Sequence, residues 1–98
     1  MKIEHEIKEH IITIKPYGPL TYSNAEELSE YIDRNSKGMK KMIIDLGDVE
    51  YSSSAGIRTL MEAELKMKKL DGLVLCNVND SIIKVFKMTG LDSVFTIQ

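Results

Sequence analysis

Tryptophan is absent, cysteine occurs once, proline twice, and no basic run exceeds a pair such as Lys40-Lys41 or Lys68-Lys69. Each shortage removes a class of function. One thiol, Cys76, can neither close an internal disulfide nor assemble a cysteine cluster for zinc or iron. Set in the apolar run Leu73 to Val78, it is expected to be a small buried structural residue. His5 and His10 are read as flanking a strand turn, without Asp or Cys at ligand spacing, so both are expected at the surface and no metal or cofactor is anticipated. A formal net charge of −2 without a basic tract leaves no electrostatic footprint for a polyanion, and nucleic acid is not an expected partner. No apolar run approaches the ~20 residues that span a bilayer, and the start, Met1-Lys-Ile-Glu-His-Glu6, is charged throughout. A cytoplasmic chain with no membrane partner is the expectation.

What remains is an ordinary globular composition, 43% hydrophobic and 29% charged over 98 residues. That length supports one core, and no linker or repeat divides it, so residues 1–98 are read as a single domain. Two extended segments, Lys2 to Lys8 and Ile11 to Lys15, read as a hairpin, and both prolines, Pro16 and Pro19, are placed in the connection that follows. Ala25, Leu28 and Ile32 recur at helical spacing behind a Ser23-Asn-Ala-Glu26 capping box, which starts a helix near Asn24.

Met42 to Leu46 suits a strand buried on both faces. A helix from Ala55 to about Lys69 would bury Ile57, Leu60, Met61 and Met67, with Glu64 solvated at the edge of that stripe. Asp71-Gly72 turns into a strand from Leu73 to Val78; Asn79-Asp80 opens a third helix that Gly90 stops, and Val94 to Ile97 reads as a last strand. The order is β-β-α-β-α-β-α-β, an α/β fold with a mixed sheet, parallel crossovers and helix cover.

Ser52, Ser53 and Ser54 lie between the third strand and the second helix, at the carboxyl end of a strand where α/β sheets favour sites. The residues leave several readings open. Serine is a preferred N-cap, and capping alone accounts for one here. A phosphate carried on Ser54 would also be accommodated by the free N–H groups and positive dipole of a helix N-terminus. Serine catalysis lacks support, because no Gly-x-Ser-x-Gly elbow occurs and neither histidine is placed as a base. A phosphate-binding loop of the Gly-x-x-x-x-Gly-Lys-Ser/Thr kind is absent too.

The segments "IIDLGDVEYSSSAGIRTLM" and "KKLDGLVLCNVNDSIIKVFKMTGLDSVFTI" resemble the bacterial anti-sigma factor antagonists of the STAS domain family, which sulfate transporters share. The resemblance covers nearly the whole chain and implies a non-enzymatic module. Such a module binds an ATP-bound anti-sigma factor serine kinase, so releasing sigma factor, and is turned off by phosphorylation and restored by a serine phosphatase. By position it implies Ser54 as phosphoacceptor, with Ser53 the alternative if the helix begins one residue earlier. It implies a contact surface of Leu20, Thr21, Tyr22, Ser52, Ser53, Ala55, Gly56 and Arg58, with Gly56 admitting close approach of the partner or its nucleotide. Ser53 and Thr21 stand where many members carry acidic residues, and Gln98 comes just after the last strand, where members often add a helix. A STAS-type sensor or scaffold, holding an anion or nucleotide without phosphorylation, is the alternative function.

Overall fold

Alternating side chains set the first two strands. A computed structural model describes residues 1–98. Its β1 (Lys2–Lys8) and β2 (Ile11–Tyr17) pair antiparallel across a tight turn in which Glu9 adopts a φ of 58°. On β2, Ile12, Ile14 and Pro16 point inward. The strand thus runs through Pro16 rather than ending at Lys15. The pairing of β2 with β3 stops at Ile14, so the missing proline N–H interrupts no pair on that side. His10 lies in the turn, but His5 is in the middle of β1, beside the Tyr31 hydroxyl.

The remaining elements are α1 (Tyr22–Asn35), β3 (Lys41–Asp45), α2 (Ser54–Met67), β4 (Leu73–Cys76), α3 (Asp80–Thr89), a short 3-10 turn (Leu91–Ser93) and β5 (Thr96–Ile97). The sheet order is β1-β2-β3-β4-β5, parallel from β2 onward. Each crossover steps the same way across the sheet, so right-handed connections put all three helices on one face. Burial follows that rule. Ile12, Ile14, Met42, Ile44, Leu73 and Leu75 form the sheet side of the core, and Ala25, Leu28, Ile32, Leu60, Ala63, Met67, Ile82 and Phe86 close over them.

One-sided cover corrects several expectations. β3 alternates instead of being buried on both faces, with Ile43 half-buried on the helix-free face. Cys76 is also half-exposed there rather than a core residue; burial, and secondarily the Asp45 carboxylate, push its thiol pKa up. On α2, Met61 is exposed, and the buried stripe runs instead through Gly56, Thr59, Leu60, Ala63 and Met67. Glu64 is half-buried, with Oε1 lacking a hydrogen-bond partner, rather than solvated. The last strand is only Thr96–Ile97, because residues 91–93 take a 3-10 turn after Gly90 closes α3 in the left-handed region at φ 76°. That turn brings Phe95 onto Phe86, ring centroids 5.0 Å apart.

Candidate functional site

Two strand-to-helix turns lie side by side in register at the carboxyl ends of β2 and β3. Leu20 and Ser52 form a parallel bridge, with the Leu20 N–H donating to the Tyr51 carbonyl at 2.9 Å and the Ser53 N–H to the Leu20 carbonyl at 2.7 Å. A third bond runs from the Gly18 N–H to the Asp48 carbonyl at 2.9 Å. One residue on, Thr21 and Ser53 are the two N-caps. The Asn24 N–H donates to Thr21 Oγ1, and the Gly56 N–H to Ser53 Oγ, each at 3.2 Å. One further on, Tyr22 and Ser54 open α1 and α2, and their side-chain oxygens lie 3.4 Å apart.

This register corrects both expected helix starts. Thr21 rather than Ser23 caps α1, and α2 begins at Ser54 rather than Ala55. The earlier start is the condition that favours Ser53 as the modified residue, but it makes Ser53 the buried cap, its Oγ held by the Gly56 N–H, and leaves Ser54 exposed with its hydroxyl free of backbone duty. Both caps are thus hydroxyls, which accept from a helix N–H as a carboxylate could, without its charge. Ser53→Ala is expected to lose about 1 kcal/mol of stability, whereas Ser54→Ala should change it by less than about 0.5 kcal/mol. Urea denaturation of both variants distinguishes the two roles; equal losses would mean that Ser54 shares the cap.

Among the other candidates, Thr21, Tyr22 and Arg58 are exposed, and Ser52 and Ala55 half-buried. Leu20 has no exposed surface, so it belongs to the core rather than to a contact face. Gly56 is buried as well. A Cβ there would meet Ser52 Oγ at 2.3 Å and Leu20 Cβ at 2.7 Å, so the close approach that glycine permits is between the two turns of this chain, not to a partner.

Two polar anchors support the serine segment, and of these the sequence marks Asn79 as the opening of α3 but not its reach to that segment. Asn79 caps α3 through Oδ1, accepting from the Ile82 N–H at 2.9 Å, while its Nδ2 donates to the carbonyls of Val49 and Glu50 at 3.1 Å. It thereby fixes the segment leading into the serines. Asp45 Oδ1 accepts from the Gly47 N–H at 2.9 Å and from Asn77 Nδ2 at 3.0 Å. Partial burial pulls the Asp45 pKa upward, but Asn77, Gly47 and the Lys15 charge outweigh it and hold the carboxyl below its usual range. Neither residues 18–22 nor 52–58 include a carboxylate. Those two helix starts present hydroxyls, helix N–H groups and one guanidinium, donors suited to an anion, with Asp48 and Glu50 in the segment that leads to them.

The STAS domain family model matches residues 2–98. A relative from Bordetella bronchiseptica, BtrV, is 33% identical over 82 residues, which are 82% of this chain and 71% of that protein. The chain belongs to the STAS domain family. BtrV bears the name of an anti-sigma factor antagonist, and the likeness places this STAS domain among the proteins of that kind. A Thermotoga maritima structure described as such an antagonist superposes with a TM-score of 0.89 at 21% identity, covering 97% of this chain and 84% of that one. The Bacillus antagonist SpoIIAA, in its unphosphorylated form, gives a TM-score of 0.77 at 15% identity over 99% of this chain and 87% of its own. SpoIIAA has also been solved phosphorylated. These structural likenesses establish the shared fold.

Proposed function

We propose that this STAS domain is an anti-sigma factor antagonist that works by partner switching in the cytoplasm. It binds an ATP-bound anti-sigma factor serine kinase and thereby frees a sigma factor. The kinase then transfers the γ-phosphoryl group of ATP to Ser54 Oγ, with loss of the hydroxyl proton and release of ADP. The modified chain dissociates, and a serine phosphatase restores it by hydrolysis. In this scheme the protein is substrate and ligand, not catalyst.

The observation that carries the reading is the division of labour between Ser53 and Ser54. One serine is buried and holds the helix cap; the next is exposed at the first position of α2 with no structural task. Modification of Ser54 leaves the cap bond and the core in place. Its phosphate gains about −1.5 to −2 charges at pH 7, beside N–H groups and a dipole that tolerate them. A partner that has closed over a neutral hydroxyl faces instead a dianion it must desolvate. Thr21, Tyr22 and Arg58 form the exposed remainder of the surface, with Ser52 and Ala55 between them.

The test compares wild type with Ser54→Glu as baits in extract of the native cell and identifies retained proteins by mass spectrometry. Wild type is expected to retain an ATP-binding kinase, and Ser54→Glu to lose it, with a weakening of about 2–5 kcal/mol when the isolated pair is titrated. Phosphopeptide mapping after incubation with that kinase and ATP should place the modification on Ser54. Equal retention by both baits, or phosphate on Ser53, would sink the scheme.

A further inference from the structure

The geometry points to Tyr22 as a positioning residue for the phosphoryl group on Ser54: its hydroxyl donates to a phosphoryl oxygen and holds the group between the first turns of α1 and α2. The inference rests on the reading of Ser54 as phosphoacceptor and adds a residue of the neighbouring helix to that site.

Tyr22 is 73% exposed, so its ring is not retained by the core. Its hydroxyl has one hydrogen-bond partner in the structure, Ser54 Oγ, and Ser54 Oγ has no other. Their separation of 3.4 Å exceeds the 2.7–2.8 Å usual between hydroxyl oxygens, which makes the present contact weak. A phosphoryl group on Oγ adds three acceptor oxygens around that ester atom. One of them can enter the gap, replacing a long neutral contact with a shorter charge-assisted bond.

The backbone keeps the two groups opposed. Because Leu20 bridges Ser52, the residues two positions further along each turn, Tyr22 and Ser54, meet. Both open their helices, where the first N–H groups have no intrahelical acceptor. The phosphoryl group therefore faces donors from two helices, and the phenol is the one side-chain donor that approaches Ser54 Oγ.

The test uses the full chain with phosphoserine installed at position 54 during translation, so it requires no kinase. The phosphate is titrated by phosphorus NMR in the parent and in Tyr22→Phe, which keeps the ring and removes only the oxygen. The hydroxyl favours the dianion, so Tyr22→Phe should raise the second phosphate pKa by about half a unit, roughly a threefold change in proton affinity. Glu26 and Arg58, the charged residues one turn into α1 and α2, are common to both chains, and the difference reports the phenol alone. Titration curves that superimpose, or a shift in the opposite direction, overturn the assignment. Failure of a kinase to modify Ser54 would instead count against the switching scheme and leave this result standing.

Discussion

Gly56→Ala is expected to lower the thermal midpoint by about 8–16 °C, corresponding to about 2 kcal/mol in a domain of this size. Two effects oppose one another. Alanine gains about 1 kcal/mol over glycine in a helix. Against that, the new methyl would be 2.3 Å from Ser52 Oγ and 2.7 Å from Leu20 Cβ. The serine oxygen can rotate away. Leu20 Cβ cannot, because it is fixed to the backbone that bridges Ser52, so the two turns must separate. Overpacking of that kind costs about 1–3 kcal/mol, and a forced backbone shift places it at the upper end. A midpoint unchanged or raised in a calorimetric scan would show that helix propensity prevails and that the turns are more compliant than their bonds imply.

Phe86→Ala should cost more, about 3–5 kcal/mol by urea denaturation, as expected for a large aromatic removed from a closed core. Phe86 is fully buried and packs on Phe95, the residue that leads the chain from the 3-10 turn into β5. Truncation leaves a cavity and also removes the surface against which Phe95 is held. Amide exchange at Thr96 and Ile97 should therefore accelerate before that of β3. A loss below about 1.5 kcal/mol would mean that Phe95 moves inward and refills the space.

The legible part of this fold is the part set by repetition. Ala25, Leu28 and Ile32 declare α1 by their spacing, Gly90 marks the end of α3, and the β-branched residues of β2 declare a strand. What repetition does not disclose is the number of faces that are covered. Met42 to Leu46 is apolar but for Asp45, yet Ile43 faces the side without helices, since a sheet whose crossovers all step one way is covered on one side only. Cys76 was misplaced for the same reason.

At the site, three consecutive serines have three different surroundings, and single-residue chemistry is identical for all of them. Ser52 joins the bridge to Leu20, Ser53 caps, and Ser54 is left free. Only the register with the neighbouring turn separates them, and that register arises from contacts between residues about 32 apart in the chain, as in the Tyr22–Ser54 pair. The capping box at Ser23 was a local pattern overruled by the same long-range constraint, which fixes Thr21 beside Ser53.

The parallel crossovers also give the molecule two unlike poles. Met1 enters beside the Lys2–Tyr17 pair, and the Gln98 N–H bonds to the Leu75 carbonyl, so both chain ends emerge at the pole that carries Ser54. At the opposite pole, the Glu9-His10 turn, Lys40 and Asp71 are tied together by the Lys40 N–H to the His10 carbonyl and the Asp71 N–H to the Lys40 carbonyl, each 2.8 Å. A fluorophore or affinity handle placed at Met1 or Gln98 therefore lies toward the pole of the proposed surface, on an edge strand of the sheet. One attached by way of the exposed Lys37-Gly38 turn sits a full strand length away, clear of the surface proposed for the partner.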